Sequence, residues 1–161
     1  MADNLQWVRQ RESTRGKILF FAHDVHVRTT DMIWVTPWIV QRHRPAGIYL
    51  RSGVGDDMVV IGTYFGHGVG FPAESGTYRG IPLPPDTAGM DSLLLSLSIP
   101  RFMMDLRELP RTGNLHEWFQ TPHETRSSDS GDEPVIVAPL EAYDAILFID
   151  TITPTPAPQK H

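Results

Sequence analysis

At 161 residues, with 40% hydrophobic and 20% charged side chains, the chain has the size and composition of one soluble globular domain. A charge of -5, from 14 basic and 19 acidic residues, argues against a nucleic-acid partner, which would need clustered Lys and Arg. The absence of cysteine excludes disulfides, thiolate metal sites and a cysteine nucleophile.

No apolar stretch approaches the roughly 18 residues of a membrane span, and Met1-Ala2-Asp3-Asn4 lacks a leader pattern, so the expected location is the cytoplasm with no membrane partner. Residues 2 to 12 read as a short helix, with Leu5 and Val8 one turn apart, closed at Arg15-Gly16. Lys17 to Ala22 follows as the first strand. Ile18 to Phe21 has no polar alternation, which predicts a strand buried on both faces, as in a parallel sheet. The strand ends in His23, Asp24 and His26.

The apolar segment from Met32 to Val40 is broken by Pro37 and fits helix, strand or loop equally. Pro45 opens a short helix that closes near Gly53 or Gly55. Met58 to Phe65 is the second strand. Gly66 to Pro85 is a long Gly/Pro-rich loop beginning at Phe65-Gly66-His67-Gly68, with neither a phosphate-loop nor a dinucleotide fingerprint. A loop of that length at a strand exit suits a substrate cover.

Asp86 or Thr87 caps a helix running to about Leu97, and Pro100 stops it. Arg101 to Leu106 is the third strand, ending in Asp105-Leu106-Arg107. Asn114 to Gln120 reads as a helical turn, and Thr121 to Pro134 as a mobile polar loop. Ala145 to Ile149 is the fourth strand and terminates at Asp150. Residues 1–153 form the expected α/β domain, and 154–161 a Pro-rich tail.

The expected architecture is a mainly parallel sheet of about four strands flanked by helices. Parallel pairing would gather His23, His26, Phe65, His67, Asp105, Arg107 and Asp150 along the edge formed by the strand C-termini. Such a set suits hydrolysis by an activated water. Histidine, with an ordinary pKa of about 6.5, is the base. Asp24, Asp105 or Asp150 would orient it, and Arg107 would hold an oxyanion. Three bland readings stand beside this. His23 could simply bond a loop, Asp105 and Arg107 could be a structural ion pair, and His43, His116, His123 and His161 could be ordinary surface residues. A serine nucleophile has no elbow motif to sit on. A metal held by His23, His26 and a carboxylate is a further alternative, although His-x-x-His at a strand exit lacks the one-face geometry of a helical motif.

Several blocks resemble the erythromycin esterase family in order. They are Met1 to Leu5, Phe21-Ala22-His23-Asp24-Val25-His26-Val27, Gly55 to Gly62, Phe65 to Gly68, Met104 to Arg107 and Phe148 to Asp150. The resemblance implies an esterase that opens a macrolide lactone by water attack, an antibiotic-resistance activity requiring neither cofactor nor metal. It implies that His23 and His26 are the catalytic pair of the family's carboxyl-terminal half. Asp24, Phe65, His67, Asp105, Arg107 and Asp150 then support them or bind a small ester or lactone. Asp24 stands where the family usually has asparagine. Family members are much longer, and their other catalytic histidine and glutamate come from an amino-terminal half. This chain therefore looks like the carboxyl-terminal part, whose partner is that missing half or another chain. A non-catalytic remnant or binding module of the same fold is the alternative.

Overall fold

The computed structural model describes residues 1–35, 40–72, 78–80, 89–125 and 135–153. Helix α1, Ala2–Glu12, matches the sequence reading, with Asp3 in its first turn and Arg9 and Arg11 in its last, both favourable to the helix dipole. None of its residues is buried. The one-turn helix α2, Asp24–Val27, follows His23 directly. The undecided apolar segment contains strand β1, Met32–Val35, paired antiparallel with β2, Val40–His43. Its centre, with Pro37, lies outside the described residues.

Pro45 caps α3, Ala46–Val54, and Gly55, at φ 63°, terminates it. Gly47, in the first turn of α3, faces the end of α2 so closely that a Cβ would enter the carbonyl oxygens of Val27 and Arg28. Strand β3, Ile61–His67, begins later and runs further than expected. The long loop beyond it contains a hairpin of β4, Val69–Pro72, and β5, Tyr78–Gly80. The rest of that loop and the cap at Asp86 or Thr87 lie outside the described residues.

Helix α4, Met90–Ser96, strand β6, Arg101–Asp105, and helix α5, Asn114–Gln120, stand where the sequence placed them. The polar loop after α5 starts with a strand, β7, His123–Thr125, paired antiparallel with β8, Val135–Val137. Residues 126–134 and the tail 154–161 lie outside the described residues. Helix α6, Pro139–Ala142, leads into the last strand, β9, Ala145–Thr151.

The principal sheet is mixed and three-stranded, in the order β3-β9-β6. Strands β3 and β9 are parallel, with Ile61 opposite Ala145 and His67 opposite Thr151. Strand β6 runs antiparallel to β9, with Asp105 opposite Ala145 and Arg101 opposite Ile149. This corrects the expectation of a mainly parallel sheet of about four strands. The missing strand is Lys17–Ala22, which forms neither helix nor strand and makes no backbone hydrogen bond among the described residues. It is not buried either: Leu19 is 88% and Phe21 95% exposed.

The core lies against one face of the sheet, where Tyr64, Ile146 and Phe148 meet Met90, Leu94 and Tyr143. Each such apolar side chain contributes about 1.5–3 kcal/mol on full burial. Asp144 joins the strands at their start. Its amide donates to the Val60 carbonyl at 2.8 Å, its Oδ2 accepts from the Val60 amide at 2.7 Å, and Arg51 of α3 pairs with the same carboxylate.

Candidate functional site

His23 is the N-cap of α2, and this local geometry brings the conspicuous residues of the first block together. Its Nδ1 lies 3.3 Å from the Val25 amide and 3.0 Å from Asp24 Oδ1. The two contacts demand opposite states, because Nδ1 must be bare to accept from the amide and protonated to donate to the carboxylate. The shorter, charge-assisted contact with Asp24 is the stronger. It places the proton on Nδ1 and leaves the Nε2 lone pair as the basic one.

Asp24 is tied from the other side by Tyr143, whose hydroxyl donates to Oδ2 at 3.0 Å. Burial opposes ionisation of Asp24. Hydrogen bonds from His23 and Tyr143, with the charges of His23 and Arg28, outweigh it and hold the carboxyl below its usual 3.8. Arg28 is 2% exposed, anchored through the carbonyls of Thr30 at 3.2 Å and Asp31 at 2.7 Å. Tyr143 is itself buried, which together with Tyr64 and Asp24 pushes its hydroxyl well above the usual pKa and keeps it a neutral donor. Its ring rests on Gly62, where a Cβ would come within 2.9 Å, and meets Tyr64 edge-on at 6.2 Å.

His26 is exposed and turns to different company. Its ring meets His43 edge-on, with centroids 6.5 Å apart. Both line a cleft of about 520 Å³ with Asp3, Gln6, Arg44 and Tyr49. Arg44 is held there by Asp31, through Nε at 3.0 Å and Nη2 at 3.3 Å. Reading His43 as an ordinary surface residue therefore misses its place in the cleft. The sequence offers no spacing signal for it, because the β1–β2 hairpin brings it back to α2.

The strand-end residues do not share one edge. Asp24 is bonded to Tyr143, two residues before β9 begins, whereas His67 stands opposite Thr151 near that strand's end. Asp150 accepts from the Thr151 hydroxyl at 3.2 Å, and its Oδ1 would lie 3.2 Å from a Cβ at Gly66. Phe65 is half-buried one residue earlier. Asp105 and Arg107 sit at the other end of the sheet from His67 and Asp150, because β6 is antiparallel and Asp105 lies opposite Ala145, close in register to Tyr143. Asp105 takes bonds from the Arg107 amide at 3.0 Å, Nε at 2.8 Å and Nη2 at 2.5 Å. These lower its carboxyl to about 2. The pair closes a surface turn and spends these bonds on itself rather than on His23 or His26.

Two more histidines depart from a plain surface role. His123 stacks on Trp118 at 3.8 Å and contacts its carbonyl at 2.7 Å through Nε2, and His116 has a buried Nδ1. His161 lies outside the described residues. Among the described residues no group of three or more His, Asp or Glu side chains is placed to hold a metal, so the arrangement of His23, His26 and a carboxylate is not assembled. No helix among them is long and apolar enough to cross a membrane.

The fold and site define a mixed α/β protein whose distinguishing feature is a histidine–carboxylate–tyrosine chain at a one-turn helix. Residues 1–152 match the family described as erythromycin esterase, and the chain belongs to that family. It is 24% identical over 157 residues to the putative hydrolase YbfO of Bacillus subtilis (strain 168), covering 96% of this chain and 34% of that protein. A solved succinoglycan biosynthesis protein matches with a TM-score of 0.73 at 22% identity, over 95% of this chain and 37% of that one. A Bacillus cereus protein gives a TM-score of 0.72 at 20% identity, over 96% and 37%. A histidine mutant of erythromycin esterase EreC in its open conformation gives 0.62 at 16%, over 93% and 35%. The chain thus spans only about a third of the length of these relatives.

Proposed function

We propose that this chain carries the histidine base of an erythromycin esterase-like hydrolase, acting on an ester or macrolide lactone within the complete family fold. The observation that carries the reading is the 3.0 Å contact between His23 Nδ1 and Asp24, itself held by Tyr143. Asp24 fixes the tautomer and stabilises the imidazolium as it forms. Nε2 takes a proton from water, and the resulting hydroxide attacks the carbonyl carbon. The tetrahedral intermediate expels the alkoxide, which takes the proton back from Nε2, leaving an acid and an alcohol. Neither a serine nucleophile nor a cofactor enters these steps.

The cleft beside His26, His43, Arg44 and Tyr49 is within the size range of small-molecule pockets and provides the adjoining seat for substrate. His26 holds the reacting carbonyl or its oxyanion there. His67 and Asp150 at the far end of β9 have supporting roles only if the rest of the fold extends the site to them.

A second reading is a binding module without turnover, favoured by the chain's short span against its relatives. Hydrolysis of erythromycin and of a chromogenic ester by the chain assembled with the remaining family portion separates the two. Turnover that disappears with His23→Ala supports the hydrolase. Ligand binding without turnover in the assembled protein supports the module.

A further inference from the structure

His43 ends β2 opposite the buried Met32, and the chain on both sides of it is tied to the histidine helix. Its two sequence neighbours both hold Asp31, Arg42 through Nε at 2.6 Å and Arg44 through Nε at 3.0 Å. The Asp31 carbonyl accepts from the buried Arg28 at 2.7 Å, and the Arg28 amide closes α2 on the Asp24 carbonyl at 2.9 Å. Gly47, at the head of α3, lies against the carbonyls at the end of α2. This frame holds the exposed His43 ring edge-on to His26 at 6.5 Å, inside the cleft that both line. A merely solvated histidine has no need of it. Among the described residues, Arg42 and Arg44 share the one Asp31 carboxylate, which leaves a positive charge beside the cleft in a chain of net charge -5. Asp3, from α1, is the acidic side chain lining the cleft. It offsets that excess, so the site suits a single developing charge better than a dianion.

We propose that His43 is the second donor of the oxyanion site, a catalytic residue that grips the carbonyl oxygen together with His26 as that oxygen takes up charge. Ester hydrolysis creates one such charge. The π pair of the C=O bond moves onto oxygen as the water oxygen bonds to carbon, and it returns as the alkoxide leaves. His43 keeps its proton throughout. A single imidazole N–H at His26 leaves further lone pairs of the oxyanion unmatched, and donors fixed in advance around that oxygen are what lower the barrier. The arginine pair on Asp31 adds a positive field behind the two rings. The inference rests on the reading of this chain as part of an ester hydrolase with His23 as base, and it adds a residue outside the His23–His26 pair.

The test has two arms. In the first, phenyl methylphosphonate, a tetrahedral monoanion, is titrated into the 161-residue chain while the histidine ring resonances are followed. Those of His26 and His43 should shift together. His43→Ala should melt like the parent, because the ring is exposed, yet bind the phosphonate at least tenfold more weakly. No shift at either ring would overturn the proposal, as would equal binding by the variant. In the second arm, the chain assembled with the rest of the family fold is given a chromogenic ester. His43→Ala should lower kcat about 100- to 1000-fold, the range for one oxyanion donor, with KM changed less than about threefold. His43→Gln keeps an N–H donor and should recover at least tenfold of that loss. An unchanged kcat, or a rise in KM alone, would overturn the proposal while leaving the base reading intact. Turnover that survives His23→Ala defeats the base reading instead, and the phosphonate arm then decides the role of His43 by itself.

Discussion

Tyr143 donates a 3.0 Å hydrogen bond to Asp24 across 119 residues of sequence, tying the entry of the last strand to the one-turn helix that follows His23. Asp24 is partly buried, so the donor stabilises a carboxylate that water reaches only in part. Tyr143→Phe keeps the ring against Gly62 and Tyr64 but removes that donor. It should lower stability by about 1.5–3 kcal/mol, the range for a hydrogen bond to a charged group. Urea unfolding of the variant and parent checks this, and equal midpoints would show that the bond contributes nothing.

The pH dependence of stability should carry the mark of Asp24. Its folded pKa lies below 3.8, since bonds from His23 and Tyr143 outweigh the burial that opposes ionisation. A depressed folded pKa contributes stability that is present above the unfolded value. That stability is lost as pH falls through the folded one. Asp24→Asn should therefore flatten the acid limb below about pH 4, where the unfolded carboxyl begins to take up protons. Asp105, lowered to about 2 by Arg107, adds a contribution of the same sign. Because that pair is exposed, Asp105→Asn should flatten the limb less. Unfolding midpoints collected across the acid range decide the order of the two variants.

Much of the fold was legible because its signals are local. Leu5 and Val8 fall one turn apart in Ala2–Glu12, Pro45 announces α3, and Ala145–Ile149 is an unbroken apolar run. Strand direction was not legible, since nothing in Arg101–Asp105 records that β9 runs against it. Ile18–Phe21 was misread for a different reason. An apolar run records a tendency to be buried, not which element pairs with it, and among the described residues none does. At the site, His23, Asp24 and His26 announce themselves by adjacency. Tyr143 and His43 do not, because one arrives through the sheet and the other through a hairpin.

Gly47 should resist any side chain. A Cβ there meets two backbone carbonyl oxygens, of Val27 and Arg28, which have no rotamer to yield. Gly47→Ala must move α2 away from α3, and overpacking of this kind typically costs about 1–3 kcal/mol or more. The displacement would also carry His26 away from His43. A thermal melt should show the loss, and the histidine ring resonances should shift in the folded fraction. A variant as stable as the parent would mean that the two helices are not fixed this closely.

The last prediction separates the two histidines. General acid–base groups contribute on the order of a hundred- to ten-thousand-fold in rate. In the chain assembled with the rest of the family fold, His23→Ala should lower ester turnover by that factor. It should also cost about 1–3 kcal/mol of stability, because the partly buried Asp24 carboxylate loses the Nδ1–H donor. His26→Ala should likewise cut turnover but change stability by only about 0.5 kcal/mol, since its side chain is exposed. Asp24→Asn, which places the family's usual residue there, should cut turnover less than either histidine variant, because the amide oxygen still accepts from Nδ1–H although it brings no charge to the imidazolium. Steady-state kinetics on one ester, with unfolding curves for each variant, separates the loss of rate from the loss of stability. Full turnover in both histidine variants would move the chemistry elsewhere in the fold and leave His23 with a structural role alone.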